Sequence, residues 1–198
     1  MSRSAPDGLE EALREGSVVA VPTDTVYGLA VDPRVAGAVE RVFATKGRPG
    51  GMALPVLIAD PGGLADLAEK SPVADRLASH YWPGPLTLVL RRRREVAFDL
   101  GGDPLTIGLR CPAHSMLRDL LRRSRPLAVT SANRHGEPPL CTAAEVREHF
   151  GDAVKWVLDG GRCDGQPSTV ISLLGPDCEC LREGALPFAE IAAVASNG

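Results

Sequence analysis

The sequence predicts a single α/β domain in which helices cover a mixed sheet, and three observations support that prediction. Short apolar runs alternate with amphipathic stretches along the chain, which is typical of strands that alternate with helices. The 198 residues are 44% hydrophobic, enough to build a core without a metal or disulfide. No internal repeat or low-complexity linker divides the chain, so we expect residues 1–198 to form one domain.

Each element of the first half is assigned from a local signal. Asp7 and Glu10 mark a helix start, and Gly16 separates that helix from an apolar run. Apolar residues at helical spacing define the further helices, and short apolar runs define buried strands. In chain order, the predicted elements are a helix over 9–15, a strand over 17–21, a helix over 35–43, a strand over 54–58, a helix over 73–81, and strands over 86–90 and 105–109.

The second half follows the same alternation. Leu117, Leu120 and Leu121 would share one face of a helix over 114–123. Thr142 and Glu145 have the spacing of a capping box, which begins a helix. The other predicted elements are strands over 127–130, 156–158, 169–173 and 178–181, and a last helix over 188–194.

The charge balance excludes a polycation that coats nucleic acid. Lys and Arg number 22 against 25 Asp and Glu, a net charge of −3, so any anion site must be built locally. The five cysteines have no paired-ligand spacing, which disfavours zinc and favours free thiols in a reducing compartment. The chain has no signal-like or membrane-spanning apolar run. We expect a cytoplasmic protein without a membrane partner.

Polar motifs follow several predicted strands, where ligands commonly bind in open α/β sheets. Thr23, Asp24 and Thr25 come after the first strand and could line a polar pocket or simply form a turn. Ser131 and Asn133 follow the strand over 127–130 and offer neutral donors and acceptors. The familiar phosphate-loop, dinucleotide-binding, zinc-protease and serine-hydrolase motifs are absent, so a nucleotide would be bound by another device.

Cationic residues form further candidate sites. Lys46 and Arg48 flank Gly47 just past the predicted helix over 35–43. They could bind a polyphosphate between them, or they could be ordinary cations at the end of a helix. Thr106 and Arg110 would share one face of a strand, and an inward arginine needs an anionic partner, which a bound carboxylate would provide.

Three later features are weaker signals. Ser168 follows a turn-rich stretch, and Arg182 stands at a strand end. The basic run over 91–94 could be a solvated hairpin edge that blocks strand association, or an RNA contact.

In their order, these motifs resemble the YrdC/Sua5 family of threonylcarbamoyl-AMP synthases. The lysine and arginine of KGRP at 46–49 and the serine and asparagine of SAN at 131–133 match the pair of motifs that marks this family. The likeness covers about residues 9–191, and its other blocks are SVVAVPTDTVYGLAVD, WPGPLTLVL, TIGLRCPAHSML, STVISLLG and LREGAL. The resemblance implies an open, twisted, mixed sheet around a large concave cavity, without the C-terminal domain of the Sua5 type.

The resemblance also implies an activity. L-threonine, bicarbonate and ATP would give threonylcarbamoyl-AMP and pyrophosphate, the first step towards N6-threonylcarbamoyladenosine at position 37 of tRNA. Mg²⁺ is expected to assist without a dedicated protein site. The implied partners are a downstream threonylcarbamoyl transferase complex and, through a positive groove, tRNA or other RNA. The oligomeric state stays open.

The resemblance assigns roles residue by residue. Lys46, Arg48, Ser131 and Asn133 are expected to carry the reaction. The nucleotide and phosphate positions are Lys46, Arg48, Thr106, Asn133 and Arg182, with Met52 and Cys141 bordering the nucleotide. The threonine and carbamate positions are Thr25, Arg110, Ser131 and Ser168.

Some positions depart from the family pattern. Met52 and Ala53 stand where relatives usually have a polar residue and a proline, and Arg134 and His135 follow the SAN motif where apolar residue and serine are common. These departures bear on amino-acid specificity. Met52 and Ala53 leave a YciO-like relative of unknown substrate open as an alternative. The positive groove that the resemblance implies, which the run over 91–94 could extend, leaves open a module that binds double-stranded RNA or tRNA.

Overall fold

A computed structural model describes residues 7–47, 51–163 and 165–196 and contains a nine-stranded mixed sheet within these ranges. The strands are β1 (Val19–Val21), β2 (Gly28–Val31), β3 (Val56–Leu57), β4 (Leu86–Arg91), β5 (Thr106–Arg110), β6 (Leu127–Ser131), β7 (Trp156–Val157), β8 (Thr169–Ser172) and β9 (Glu179–Arg182). Their order across the sheet is β7-β1-β2-β6-β3-β5-β4-β8-β9. Three neighbouring pairs are parallel, namely β1–β7, β3–β5 and β4–β8, and the other five are antiparallel. The predicted mixed α/β sheet is confirmed.

Seven α-helices lie within the described residues. They are α1 (Asp7–Arg14), α2 (Ala38–Lys46), α3 (Leu64–Leu67), α4 (Pro72–Tyr81), α5 (Ser115–Ser124), α6 (Ala143–Phe150) and α7 (Phe188–Ser196). Every predicted helix and strand has a counterpart among these elements. The capping box of α6 is present, because Thr142 Oγ1 accepts from Glu145 N and the Glu145 carboxylate accepts from Thr142 N.

The sequence pattern misses β2 and α3, and each is too short for its periodicity to be recognised. The β2 strand has four residues, all buried, so it shows no alternation of polar and apolar side chains. It begins at Gly28, where a Cβ atom would lie 2.5 Å from Val129 Cγ1. Only glycine lets β2 approach β6 this closely.

Two sequence-based interpretations are wrong in detail. Lys46 does not lie past its helix: it is the last residue of α2, and Gly47 ends the helix in the left-handed region with φ 61°. The basic run over 91–94 is not a hairpin edge, because β4 lies inside the sheet between β5 and β8. Two of its arginines bind nearby backbone: Arg92 donates to Phe98 O and Arg93 donates to Ala65 O.

The strand register brings the candidate site residues together. The β2 and β6 strands run antiparallel with Gly28 opposite Ser131, so the loop between β1 and β2 lies beside the turn that follows β6. In β4 and β5, Val89 lies opposite Gly108. Since side chains alternate along a strand, Thr87 and Arg110 point to the same face as this pair.

The core lies on both sides of the sheet. A large cluster joins side chains of β2, β4 and β5 with α2, α4 and α6, and a smaller one joins α1 and α5 to the other face of β1 and β6. In the part of the chain that the structure describes, no helix combines the length and apolar character that crossing a bilayer requires.

Candidate active site

The Lys46 ammonium joins α2 to the turn after β6. Lys46 is 3% exposed, and its Nζ donates to Ser131 O at 2.5 Å, to Asn133 O at 2.8 Å and to Asn133 Oδ1 at 3.0 Å. In addition, His135 N donates to Lys46 O at 3.0 Å. Two motifs that lie more than 80 residues apart in the sequence therefore meet through both side chain and backbone.

The end of β6 and the turn after it hold their polar side chains in a fixed arrangement. Ser131 Oγ donates to Asn133 Oδ1 at 2.6 Å. Asn133 Nδ2 donates to Arg134 O at 2.9 Å and to Glu137 O at 2.7 Å. Asn133 Oδ1 thus receives both the Lys46 ammonium and the Ser131 hydroxyl. This arrangement sets a hydroxyl and a cation side by side around one amide oxygen.

A second cluster forms around Arg110 at the end of β5. Its Nε donates to Gly84 O at 3.1 Å, its Nη1 to Thr25 Oγ1 at 3.1 Å and its Nη2 to Asp24 Oδ1 at 2.5 Å. Burial lowers the pKa of the Arg110 guanidinium, and the negative charge of Asp24 opposes that shift. The site therefore contains a desolvated cation, which attracts an anion more strongly than a cation in water.

The third cluster joins β4, β9 and Ser168, the residue that precedes β8. Thr87 Oγ1 and Ser168 Oγ lie 3.0 Å apart. Arg182 Nη2 donates to Ser168 O at 2.9 Å and to Ser168 Oγ at 3.2 Å. Partial desolvation lowers the pKa of Arg182, and the charge of Arg182 in turn lowers the pKa of Arg110. The second and third clusters thus direct two guanidinium groups towards one region.

The remaining predicted site residues lie around these clusters. The Cys141 carbonyl accepts from Cys163 N, and Gly165 N donates to Thr25 O, which places Cys141 and Thr25 beside the same loop. Thr106 Oγ1 donates to Asp103 O at 3.3 Å, and no bond among the described residues links it to the three clusters. Met52 is 64% exposed. Arg48 lies outside the described residues.

Sequence reasoning named Asp24 as a possible pocket residue without identifying its partner, and it did not select Thr87, which the structure places in the third cluster. Asp24 stands in the polar motif after β1, but its partner Arg110 is 86 residues away, and no local pattern shows such a pair. Thr87 does have a sequence signal: it is a polar residue within an apolar run that forms a buried strand. A buried hydroxyl needs a hydrogen-bond partner.

Two further features bear on what the chain can bind. Within the described residues, no group of three or more His, Cys, Asp or Glu side chains is arranged to hold a metal ion. A cavity of about 330 Å³ lies beyond the other end of β2, lined by residues that include Asp32, Arg34 and Arg125. No predicted site residue lines that cavity.

Comparison with known proteins provides independent evidence of the family to which this chain is similar. A family model named for Sua5, yciO and yrdC, with the description "Telomere recombination", matches residues 11–184. A threonylcarbamoyl-AMP synthase of Pyrococcus abyssi is 42% identical over 182 residues, which cover 90% of this chain and 54% of the relative. A threonylcarbamoyl-AMP synthase of Idiomarina loihiensis is 39% identical over 175 residues, which cover 85% of this chain and 92% of the relative.

A solved structure agrees with these relatives. The crystal structure of P. abyssi Sua5 complexed with L-threonine superposes with a TM-score of 0.88 at 41% identity. The superposition covers 94% of this chain and 56% of that one. This chain therefore spans about half the length of the P. abyssi proteins and most of the length of the I. loihiensis protein.

Proposed function

Since the chain belongs to the Sua5, YciO and YrdC family, we propose that it converts L-threonine, bicarbonate and ATP into L-threonylcarbamoyl-AMP and pyrophosphate. Relatives with the name threonylcarbamoyl-AMP synthase match 85–90% of the chain at 39–42% identity. The product would be the activated precursor of a threonylcarbamoyl group on tRNA. A transferase complex that moves this group to tRNA is the downstream partner that we propose.

The contact between Lys46 and the SAN turn carries this proposal. It joins the two motifs of the family at one point, with a buried ammonium 2.5–3.0 Å from three oxygen atoms of Ser131 and Asn133. The buried ammonium at the end of α2 and the Ser131 hydroxyl beside it are the types of group that bind the phosphates of ATP. Both already donate to oxygens of the SAN motif, so a phosphate oxygen would bind here by replacing one of these acceptors. Arg48 would add a second cation, although it lies outside the described residues.

The Arg110 cluster supports the amino-acid half of the proposal. Its guanidinium can bind the threonine carboxylate in a bidentate manner, and Thr25 and Ser168 supply hydroxyl groups nearby. The P. abyssi relative has been crystallised with L-threonine. We propose that Thr25, Arg110, Ser131 and Ser168 contact threonine or its carbamate. We propose Lys46, Arg48, Thr106, Asn133 and Arg182 for ATP, with Met52 and Cys141 at its border.

The chemistry explains why cations dominate such a site. The threonine amine loses a proton and joins the carbon of bicarbonate, releasing water and leaving a carbamate anion. A carbamate oxygen then attacks the α-phosphorus of ATP, and pyrophosphate leaves. Because the carbamate and the phosphate are both negative, repulsion and positioning control the barrier. Lys46 and Arg182 would neutralise phosphate charge, and no side chain needs to form a covalent intermediate.

Mg²⁺ stays a prediction for this reaction. The described residues offer no cluster of three metal-ligating side chains, so we propose no protein ligands for the ion. It would supply charge neutralisation on the phosphates of ATP. The roles that we propose in substrate binding belong to side chains of the protein and do not depend on the ion.

A pyrophosphate-release assay tests the proposed function. Purified protein with ATP, bicarbonate, Mg²⁺ and L-threonine should release pyrophosphate and form an adenylate that mass spectrometry identifies. Lys46→Ala should lower the rate about 10- to 100-fold, because one charged hydrogen bond contributes roughly 1.5–3 kcal/mol. Lys70→Ala changes an exposed lysine and should leave the rate unchanged.

Alternative substrates and RNA separate this proposal from its competitors. Pyrophosphate release should be slower when serine replaces threonine, and also when carbamoyl phosphate replaces bicarbonate. No adenylate with threonine, and equal rates for wild type and Lys46→Ala, would reject the proposal. Salt-dependent RNA binding that survives loss of Lys46, without turnover, would favour the RNA-binding alternative.

A further inference from the structure

The ion pair between Arg110 and Asp24 lies inside the candidate amino-acid site and has no role in the function proposed above. Arg110 Nη2 donates to Asp24 Oδ1 at 2.5 Å, and the two side chains are 7% and 13% exposed. Asp24 stands between β1 and β2, and Arg110 ends β5. The chain itself therefore supplies a carboxylate to the guanidinium that would bind the carboxylate of the substrate.

A count of donors shows what Arg110 still offers. A guanidinium has one N–H on Nε and two on each terminal nitrogen. Within the described residues, Nε binds Gly84 O, Nη1 binds Thr25 Oγ1 and Nη2 binds Asp24 Oδ1. One N–H on each terminal nitrogen is then left without an acceptor among these contacts. Two N–H groups on neighbouring nitrogens are what a carboxylate needs for bidentate binding.

A second arginine–aspartate pair in the same chain shows the contrast. Arg34 Nε donates to Asp32 Oδ1 at 2.7 Å, and Arg34 Nη2 donates to Asp32 Oδ2 at 2.6 Å. Both carboxylate oxygens of Asp32 thus accept from Arg34, and they occupy an N–H on Nε and an N–H on Nη2. Asp24 uses only Oδ1, and its Oδ2 is buried without a hydrogen-bond partner among the described residues. The Asp24 contact holds its arginine and leaves donors for a ligand.

The loop that carries Asp24 is held in place by Thr23. Thr23 Oγ1 accepts from Thr25 N at 3.0 Å and from Val26 N at 3.1 Å, and it donates to Val26 O at 2.7 Å. It also lies 2.8 Å from Thr25 Oγ1. Asp24 thus stands on a buried turn with internal hydrogen bonds, so the backbone from which its carboxylate extends is held in place.

We propose that Asp24 is a positioning residue: it holds the Arg110 guanidinium in the orientation that binds the substrate carboxylate, and so sets the affinity for the amino acid separately from that for ATP. The inference rests on the proposed function, because it assumes an amino-acid substrate at Arg110. Without Asp24, the guanidinium keeps only two neutral acceptors, Gly84 O and Thr25 Oγ1. Its terminal nitrogens can then rotate away from the carboxylate.

Calorimetric binding to the full chain tests the inference with three probes: L-threonine, L-threoninamide, which lacks the carboxylate, and ATP. Asp24→Ala should weaken threonine binding about 10- to 100-fold and leave ATP binding within about twofold of wild type. Asp24→Asn keeps an oxygen that can accept from Nη2, so it should lose less affinity than Asp24→Ala. Asp32→Asn is the matched control and should leave all three affinities unchanged.

The comparison with L-threoninamide separates positioning from a structural role. Wild type should prefer threonine over threoninamide, and Asp24→Ala should lose most of that preference, since only the carboxylate uses Arg110. Thermal unfolding of each variant reports whether it is folded, and the nearly isosteric Asp24→Asn provides the second variant. Unchanged threonine binding in both Asp24 variants would overturn the inference, as would an equal loss for all three probes. Wild type that binds ATP but no threonine would reject the proposed function and this inference together.

Discussion

The Cys111 thiol is fully buried after β5, and burial raises its pKa from about 9 to about 11. The unfolded chain therefore loses this proton at lower pH than the folded chain. Above pH 9 the folded state holds more protons, so the free energy of unfolding falls as the pH rises, by about 2–3 kcal/mol up to pH 11. Cys111 makes the fold sensitive to alkali.

Replacement of Cys111 checks this expectation. Urea unfolding of wild type and Cys111→Ala at several pH values between 8 and 11 should give a shallower alkaline loss of stability for the variant. Cys111→Ala is expected to be less stable at pH 8 because it leaves a cavity, so the comparison concerns the slope with pH. Equal slopes for the two proteins would contradict the shifted pKa.

Single residues of the candidate site differ in how far the sequence could predict them. Lys46, Ser131 and Asn133 stand in recognisable motifs, and the structure joins them directly. The pairing of Asp24 with Arg110 could not be predicted, because a buried ion pair between distant residues has no local signature. Its existence depends on the register of several strands at once.

At the scale of elements, Gly28 controls how closely β2 packs on β6. A Cβ atom at this position would lie 2.5 Å from Val129 Cγ1. Gly28→Ala should lower the free energy of unfolding by about 1–3 kcal/mol, because the neighbouring strand must shift. Gly62→Ala is the matched control, since a Cβ there meets no heavy atom within 4 Å, and it should change stability by less than about 0.5 kcal/mol.

A double variant identifies the cause of the Gly28 effect. Chemical denaturation of Gly28→Ala, Val129→Ala and the combined variant should show that the double loss is smaller than the sum of the single losses. Strict additivity would show that the side chain of Val129 is not what excludes a methyl group at position 28.

The length of an element decided how well the sequence predicted it. The α4 and α5 helices have ten residues each, and their apolar spacing predicts them within one or two positions. The β2 strand has four buried residues and no alternation, so its sequence resembles a loop. The end of α2 was misplaced because the left-handed Gly47, which stops the helix, comes four residues after Phe43, the last apolar residue on the predicted helix face.

At the scale of the whole molecule, the proposed ligands should stabilise the fold. The three clusters draw side chains from β4, β5, β9, the end of β6 and the turn after it, the β1–β2 loop, α2 and the residue before β8. A ligand that binds only the folded chain at 100 times its Kd adds about 2.7 kcal/mol, or roughly 5–10 °C in Tm for a chain of this size. Differential scanning fluorimetry with ATP and threonine measures the shift.

The same experiment has an internal control. Lys46→Ala should lose most of the shift caused by ATP and keep a shift with threonine, whereas Arg110→Ala should do the reverse. Identical shifts in both variants would mean that ATP and threonine bind elsewhere on the chain.

The position of β6 between β2 and β3 also governs amide hydrogen exchange. Amides in the interior of β6 are bonded on both sides of the strand, and Val129 N donates to Pro55 O at 2.9 Å. We expect these amides to exchange among the slowest in the described chain, through global unfolding alone. Ser131 ends β6 and Asn133 lies two residues beyond it, so the turn that we propose for ATP binding is anchored to this strand. Exchange measured by mass spectrometry should stay slow in β6 even when substrates are absent.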